Sequence, residues 1–90
     1  MRVKFFSYIR NYTGCAQLEL PAPATAGDLA RHLCRRYPGE FAQKLLRGDG
    51  SFGEDIIMLI NGRHVVHLGG PEAPLAEKDT VHVFPLVAGG

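Results

Sequence analysis

The chain has no tryptophan, only two cysteines, and no run of like charge longer than the pair Arg35-Arg36. Cys15 and Cys34 belong to no CxxC pair. The two could pair in principle, but the expectation is two reduced thiols, with no CxxC to mark a redox motif. Ten Lys and Arg stand against nine Asp and Glu, for a formal net charge of +1. Phosphate backbones are bound by clustered cations, so nucleic acid is not an expected partner. No apolar stretch approaches the ~18 residues that span a bilayer. The opening "MRVKFFSYIRN" interrupts its apolar residues with charge, where a signal peptide needs them continuous. The reading is a cytoplasmic protein with no membrane partner.

Missing chemistry narrows the function further. The glycine-rich stretch "GDGSFGED", residues 48–55, leads towards a strand and lacks the GK[ST] of a phosphate-binding loop. His32, His64, His67 and His82 form no HxxxH motif or Cys/His cluster, so no metal site is expected. Ser7 and Ser51 lack the context of a nucleophile elbow. Cys34 falls on the apolar stripe of a helix and reads as a small buried hydrophobe. The chain is not expected to be catalytic alone.

What remains is 90 residues, 46% hydrophobic and 21% charged, the composition of one globular domain. "RVKFFSYIR" alternates Val3, Phe5, Ser7 and Ile9 on one face with Lys4, Phe6, Tyr8 and Arg10 on the other, and predicts a strand through Arg10. "NYTG" supplies turn chemistry, and Ala16–Leu20 a return strand ended by Pro21. In "TAGDLARHLCRRYP", Thr25 can cap the amide of Asp28 with Asp28 reaching back. Ala26, Leu29, Ala30, Leu33, Cys34 and Tyr37 fall on one helical stripe that Pro38-Gly39 stops. "EFAQKLL" offers a second, short helix with Phe41 and Leu45 inward. Asn61-Gly62 joins two apolar segments in "DIIMLINGRHVVHL", the strongest short hairpin signal. "TVHVFPL" is a last strand, expected to end at Pro85.

The order is hairpin, helix, loop, hairpin, strand. One long helix must cover one face of a sheet made from every strand, an α+β roll of about five strands. The last strand can lie parallel to the first through the helical crossover. That arrangement is the β-grasp, or ubiquitin-like, roll, with a mixed sheet and a terminus that leaves from a central strand. Residues 86–90 are expected to form a flexible tail, "LVAGG", on a single domain spanning 1–90.

The opening "VKFFSYIRNYTG", the helix "TAGDLARHLCRRYP", the hairpin "IMLINGRHV" and the closing "PLAEKDTVHVFPLVAGG" together resemble the MoaD/ThiS family of ubiquitin-like sulfur carriers. They are most similar to its molybdopterin synthase small-subunit branch, in the family's order and over nearly the whole chain. Two departures stand out: a longer middle segment, Phe41 to Asp55, and Leu86 where many small subunits carry a second proline.

The resemblance implies that a partner adenylyltransferase, MoeB/ThiF-like, activates the Gly90 carboxylate with ATP. Sulfur from a sulfurtransferase or cysteine desulfurase then displaces AMP and leaves a thiocarboxylate. It further implies a MoaE-like large subunit as recipient in molybdenum or tungsten cofactor biosynthesis, and no cofactor bound by this chain. Gly89 and Gly90 are the expected reacting end, free of Cβ so that backbone can approach nucleotide closely. Phe84, Pro85, Leu86, Val87 and Ala88 are the expected partner-binding residues, and Leu86 to Gly90, if extended, reach roughly 16 Å. The same acyl chemistry leaves the acceptor open among molybdopterin, thiamine, cysteine, tRNA and, in a protein modifier, a substrate lysine.

Overall fold

The computed structural model describes residues 1–86. Its elements, in chain order, are β1 (Arg2–Phe5), α1 (Ile9–Thr13), β2 (Gln17–Glu19), α2 (Ala26–Arg36), α3 (Glu40–Leu45), β3 (Ile56–Ile60), β4 (Arg63–His64) and β5 (Thr80–Pro85). The strands form one mixed sheet in the order β2-β1-β5-β3-β4. β1 pairs antiparallel with β2 and parallel with β5, in the register Arg2↔Thr80 to Phe5↔Val83. β5 runs antiparallel to β3, from Ile60↔Val81 to Ile56↔Pro85. The chain is therefore the β-grasp roll that its element order predicts.

Period two divides the sheet into a dry and an open face. Val3, Phe5, Ile56, Met58, Ile60, Val81 and Val83 point inward and are buried. They meet Ala26, Leu29, Ala30 and Leu33 of α2, with Phe41 and Leu45 of α3 closing one end. Thr25 caps α2 as expected, its hydroxyl accepting from the Asp28 amide at 3.2 Å. The Asp28 carboxylate is engaged by Arg31. Gly27 lets α2 approach Pro71 closely: a Cβ there would lie 2.8 Å from the Pro71 carbonyl oxygen. No helix among the described residues is long and apolar enough to cross a membrane.

Three strands are shorter than the sequence predicts, β2 by one residue at each end, at Gln17–Glu19 instead of Ala16–Leu20. β1 stops at Phe5, because Ser7 turns to φ 55° and Ile9 re-enters the core from α1. Ile9 fits both readings, since it lies on Phe5's face in a strand and four residues from it in a helix. The polar Ser7 on the supposed inner face is where the strand reading fails. Gly14, at φ 74°, ends α1 and returns the chain to β2. The return strand after Asn61-Gly62 covers only Arg63 and His64. There the His64 ring nitrogen Nδ1 accepts the Val66 amide and turns the chain into a short 3₁₀ segment, Val65–Leu68.

Candidate functional site

β5 is the structural root of the tail, and the sheet holds it from both sides. It lies between β1 and β3. The Phe6 N–H donates to the Val83 carbonyl at 3.0 Å, and the Leu86 N–H to the Asp55 carbonyl at 2.9 Å. Pro85 sits within the strand and is buried. Alternation explains why a proline is tolerated in a central strand. Leu86 and Phe84 bond towards β3, so Pro85's missing donor faces the β1 side. β1 has already ended at Phe5, so no ladder bond is lost.

The start of β5 is braced as well. The Asp79 carboxylate accepts from the Asn61 side-chain amide and the Ala76 N–H, both at 2.8 Å, while Asn61 accepts the Thr80 N–H at 3.0 Å. These donors, Asn61 first, hold the Asp79 carboxyl below its usual range. Glu77 bonds the Ala22 amide and the N-terminal ammonium, and its pKa is lowered chiefly by the Ala22 donor. Both ends of the strand that carries the tail are thus fixed to neighbouring elements.

Among the described residues no helix packs on the sheet's second face. Phe6, Ile57, Leu59, His82 and Phe84 lie on it beside Lys4, each half-buried. Phe6 and His82 meet edge to face with ring centroids 5.2 Å apart. Arg10 donates to the Phe5 carbonyl at 2.9 Å and places its guanidinium 6.0 Å from the Phe6 ring centre. An apolar patch rimmed by cations, continuous with the strand that feeds the tail, is the form of a protein-docking surface.

The sequence-derived site residues separate on this scaffold. Phe84 belongs to the open face and Leu86 is 54% exposed at the tail's root. Pro85 points inward beside Val81 and Val83, so it anchors the root and offers no surface to a partner. Leu86 is bonded to Asp55, so the sheet's hold reaches one residue into the expected tail. Val87, Ala88, Gly89 and Gly90 lie outside the described residues. The sequence reading missed Phe6, Ile57, Leu59 and His82 as surface. The signal was present: both alternating sets of β3 are apolar, and Phe6 and Phe84 add large apolar residues to the outward set, more than one covered face requires.

Neither cysteine is arranged as a nucleophile. The Cys34 thiol contacts the Ala42 carbonyl at 3.7 Å, and burial pushes its pKa up. Cys15 lies 3.7 Å from the Tyr37 hydroxyl. Both are free thiols and both are half-buried. His64 and His67 stack edge to face at 5.9 Å. No group of three metal-ligating side chains converges among the described residues.

Comparison with known proteins matches residues 3–90 to the ThiS family. The chain is 38% identical over its whole length to small archaeal modifier protein 3 of Haloferax volcanii, covering 98% of that protein. It is 31% identical to a putative sulfur carrier protein of Archaeoglobus fulgidus, over 82% of this chain and 97% of that one. Among solved structures, a chain of the Amycolatopsis orientalis BexX/CysO complex superposes with a TM-score of 0.80 at 28% identity, over 99% of this chain and 98% of the other.

Proposed function

The chain belongs to the ThiS family of ubiquitin-like proteins, and on that footing we propose that it carries sulfur as a thiocarboxylate on Gly90. The observation that carries this reading is a firmly held β5 whose exit lies beside an open apolar face. The strand is bonded on the β1 side as far as Val83 and on the β3 side as far as Leu86, and the apolar face around Phe84 lies beside its exit. Such a domain can be gripped by its face while the residues beyond Leu86 enter a partner's active site.

The chemistry follows from the carboxylate. Ionised at neutral pH, it is a poor electrophile. One of its oxygens attacks the α-phosphorus of ATP on the adenylating partner, pyrophosphate leaves, and an acyl-adenylate forms. Hydrosulfide then adds to the acyl carbon, the C–O bond to AMP breaks, and the thiocarboxylate remains. In this reading the chain contributes the acyl carbon and the docking face, and the partner contributes the ATP site. The acceptor we assign is the molybdopterin precursor, through a MoaE-like large subunit. Its support is the resemblance of the opening strand, the helix and the closing "EKDTVHVFP" segment to molybdopterin synthase small subunits.

A second reading has its own support, the 38% identity to a protein named as a modifier. There the same acyl-adenylate is captured by a substrate lysine, and an amide bond replaces the C–O bond to AMP. ATP–pyrophosphate exchange by the adenylating enzyme of the same organism tests what both readings share. Exchange that depends on this chain and is lost with Gly90→Ala is expected. Equal exchange with Gly90→Ala would overturn them both. Thiocarboxylate at Gly90 separates the carrier from the modifier, whose product is a Gly90–lysine adduct.

A further inference from the structure

β4 is two residues long and pairs only with Leu59 and Ile60. Ile56, Ile57 and Met58 therefore have no strand beside them on that edge, and β3 is open there among the described residues. A groove of about 510 Å³ occupies the place of the missing strand. Its walls include Phe52, Val66 and Leu86, with Arg47 at the rim, where its guanidinium pairs with Glu54 at 2.9 Å. Three large apolar side chains are exposed among the described residues, and two of them, Val66 at 60% and Leu86 at 54%, line this groove.

We propose that the groove is a second docking element, which takes an extended segment of the adenylating enzyme as an added strand along β3. The proposal rests on the carrier reading and names how that partner holds the tail's root. Three features fix the occupant. An unpaired strand edge is completed by an extended backbone, the least specific and most available partner for its amides and carbonyls. Alternation places the Ile56 and Met58 amides on this edge, since Leu86 bonds Asp55 and Asn61 bonds Thr80 on the other. The groove is also continuous with the surface already described: it shares Ile57 with the open face and Leu86 with the root of the tail. A segment lying here seats one apolar side chain between Phe52, Val66 and Leu86, and a carboxylate beside it meets Arg47. One partner thus holds the face, the edge and the tail together.

The test is amide exchange by NMR of the full chain, alone and with the adenylating enzyme of the same organism, together with the affinity of Val66→Glu. Slowed exchange at Ile56 and Met58 in the complex is expected, with Val66→Glu weakening binding roughly tenfold at an unchanged melting temperature. Acyl-adenylate formation with unslowed exchange at Ile56 and Met58 overturns the groove and leaves the carrier reading standing. Absence of both binding and acyl-adenylate overturns both. If removing residues 87–90 shifts the Val66 methyl resonances of the free protein, the occupant is the chain's own tail and the proposal fails. Self-association abolished by Val66→Glu would assign the groove to a second copy and overturn it equally.

Discussion

The Leu86 N–H donates to the Asp55 carbonyl at 2.9 Å, which makes Leu86 the last residue bonded to the sheet among those described. This bond carries the sheet's hold one residue past the buried Pro85. Leu86→Pro removes the donor and leaves an exposed carbonyl to be satisfied by water. A net backbone hydrogen bond is worth about 1 kcal/mol. Urea denaturation is expected to show a loss of that order with an unchanged slope, because the surface exposed on unfolding stays the same.

The open face predicts a division between binding and chemistry. Phe6 and Ile57 lie on it without belonging to the tail. Phe6→Ala and Ile57→Ala are each expected to raise the KM of adenylation for this chain about five- to thirtyfold, since an interface anchor contributes about 1–2 kcal/mol. The kcat at saturation should stay near that of the unaltered chain. A fall in kcat with constant KM would place these residues outside the docking surface.

Acid should loosen the root before the core. The Asp79 carboxyl has a lowered pKa in the folded state, first through Asn61 and then through the Ala76 amide. A depressed folded pKa stabilises above the unfolded value, near 4, and that contribution is lost as pH falls through the folded value. Asp28 acts in the same direction, through Arg31 and then Thr25. Stability measured in urea between pH 5 and pH 2, a span set by ordinary carboxylate pKa values, should fall with pH. Asp79→Ala should flatten part of that slope and leave the region above pH 5 parallel to the original.

Much of this was legible in the residues. The 3.6-residue stripe of α2 and the Thr25 cap were clear because both are local. The parallel β1–β5 pairing followed from element order, since one helical crossover leaves few alternatives. Residues 6–13 were misread because Ile9 satisfies both periods, and tertiary packing chose the helix. The return strand was overextended because Val65-Val66 looks like sheet. The His64 ring that captures the Val66 amide is a side-chain competitor that alternation does not register. The inward placement of Pro85 depended on where β1 stops, a long-range fact no window around residue 85 contains. The open face needed both strand faces to be counted together.

The central claim concerns one atom at Gly90, and intact mass spectrometry with C-terminal peptide mapping reads it directly. The full chain is incubated with the adenylating enzyme of its own organism, ATP and sulfide. The account predicts one oxygen of the Gly90 carboxylate replaced by sulfur, and no such change when a residue is appended after Gly90. A C-terminal peptide that keeps both oxygens under those conditions, with the enzyme and ATP competent towards another carrier, would contradict it.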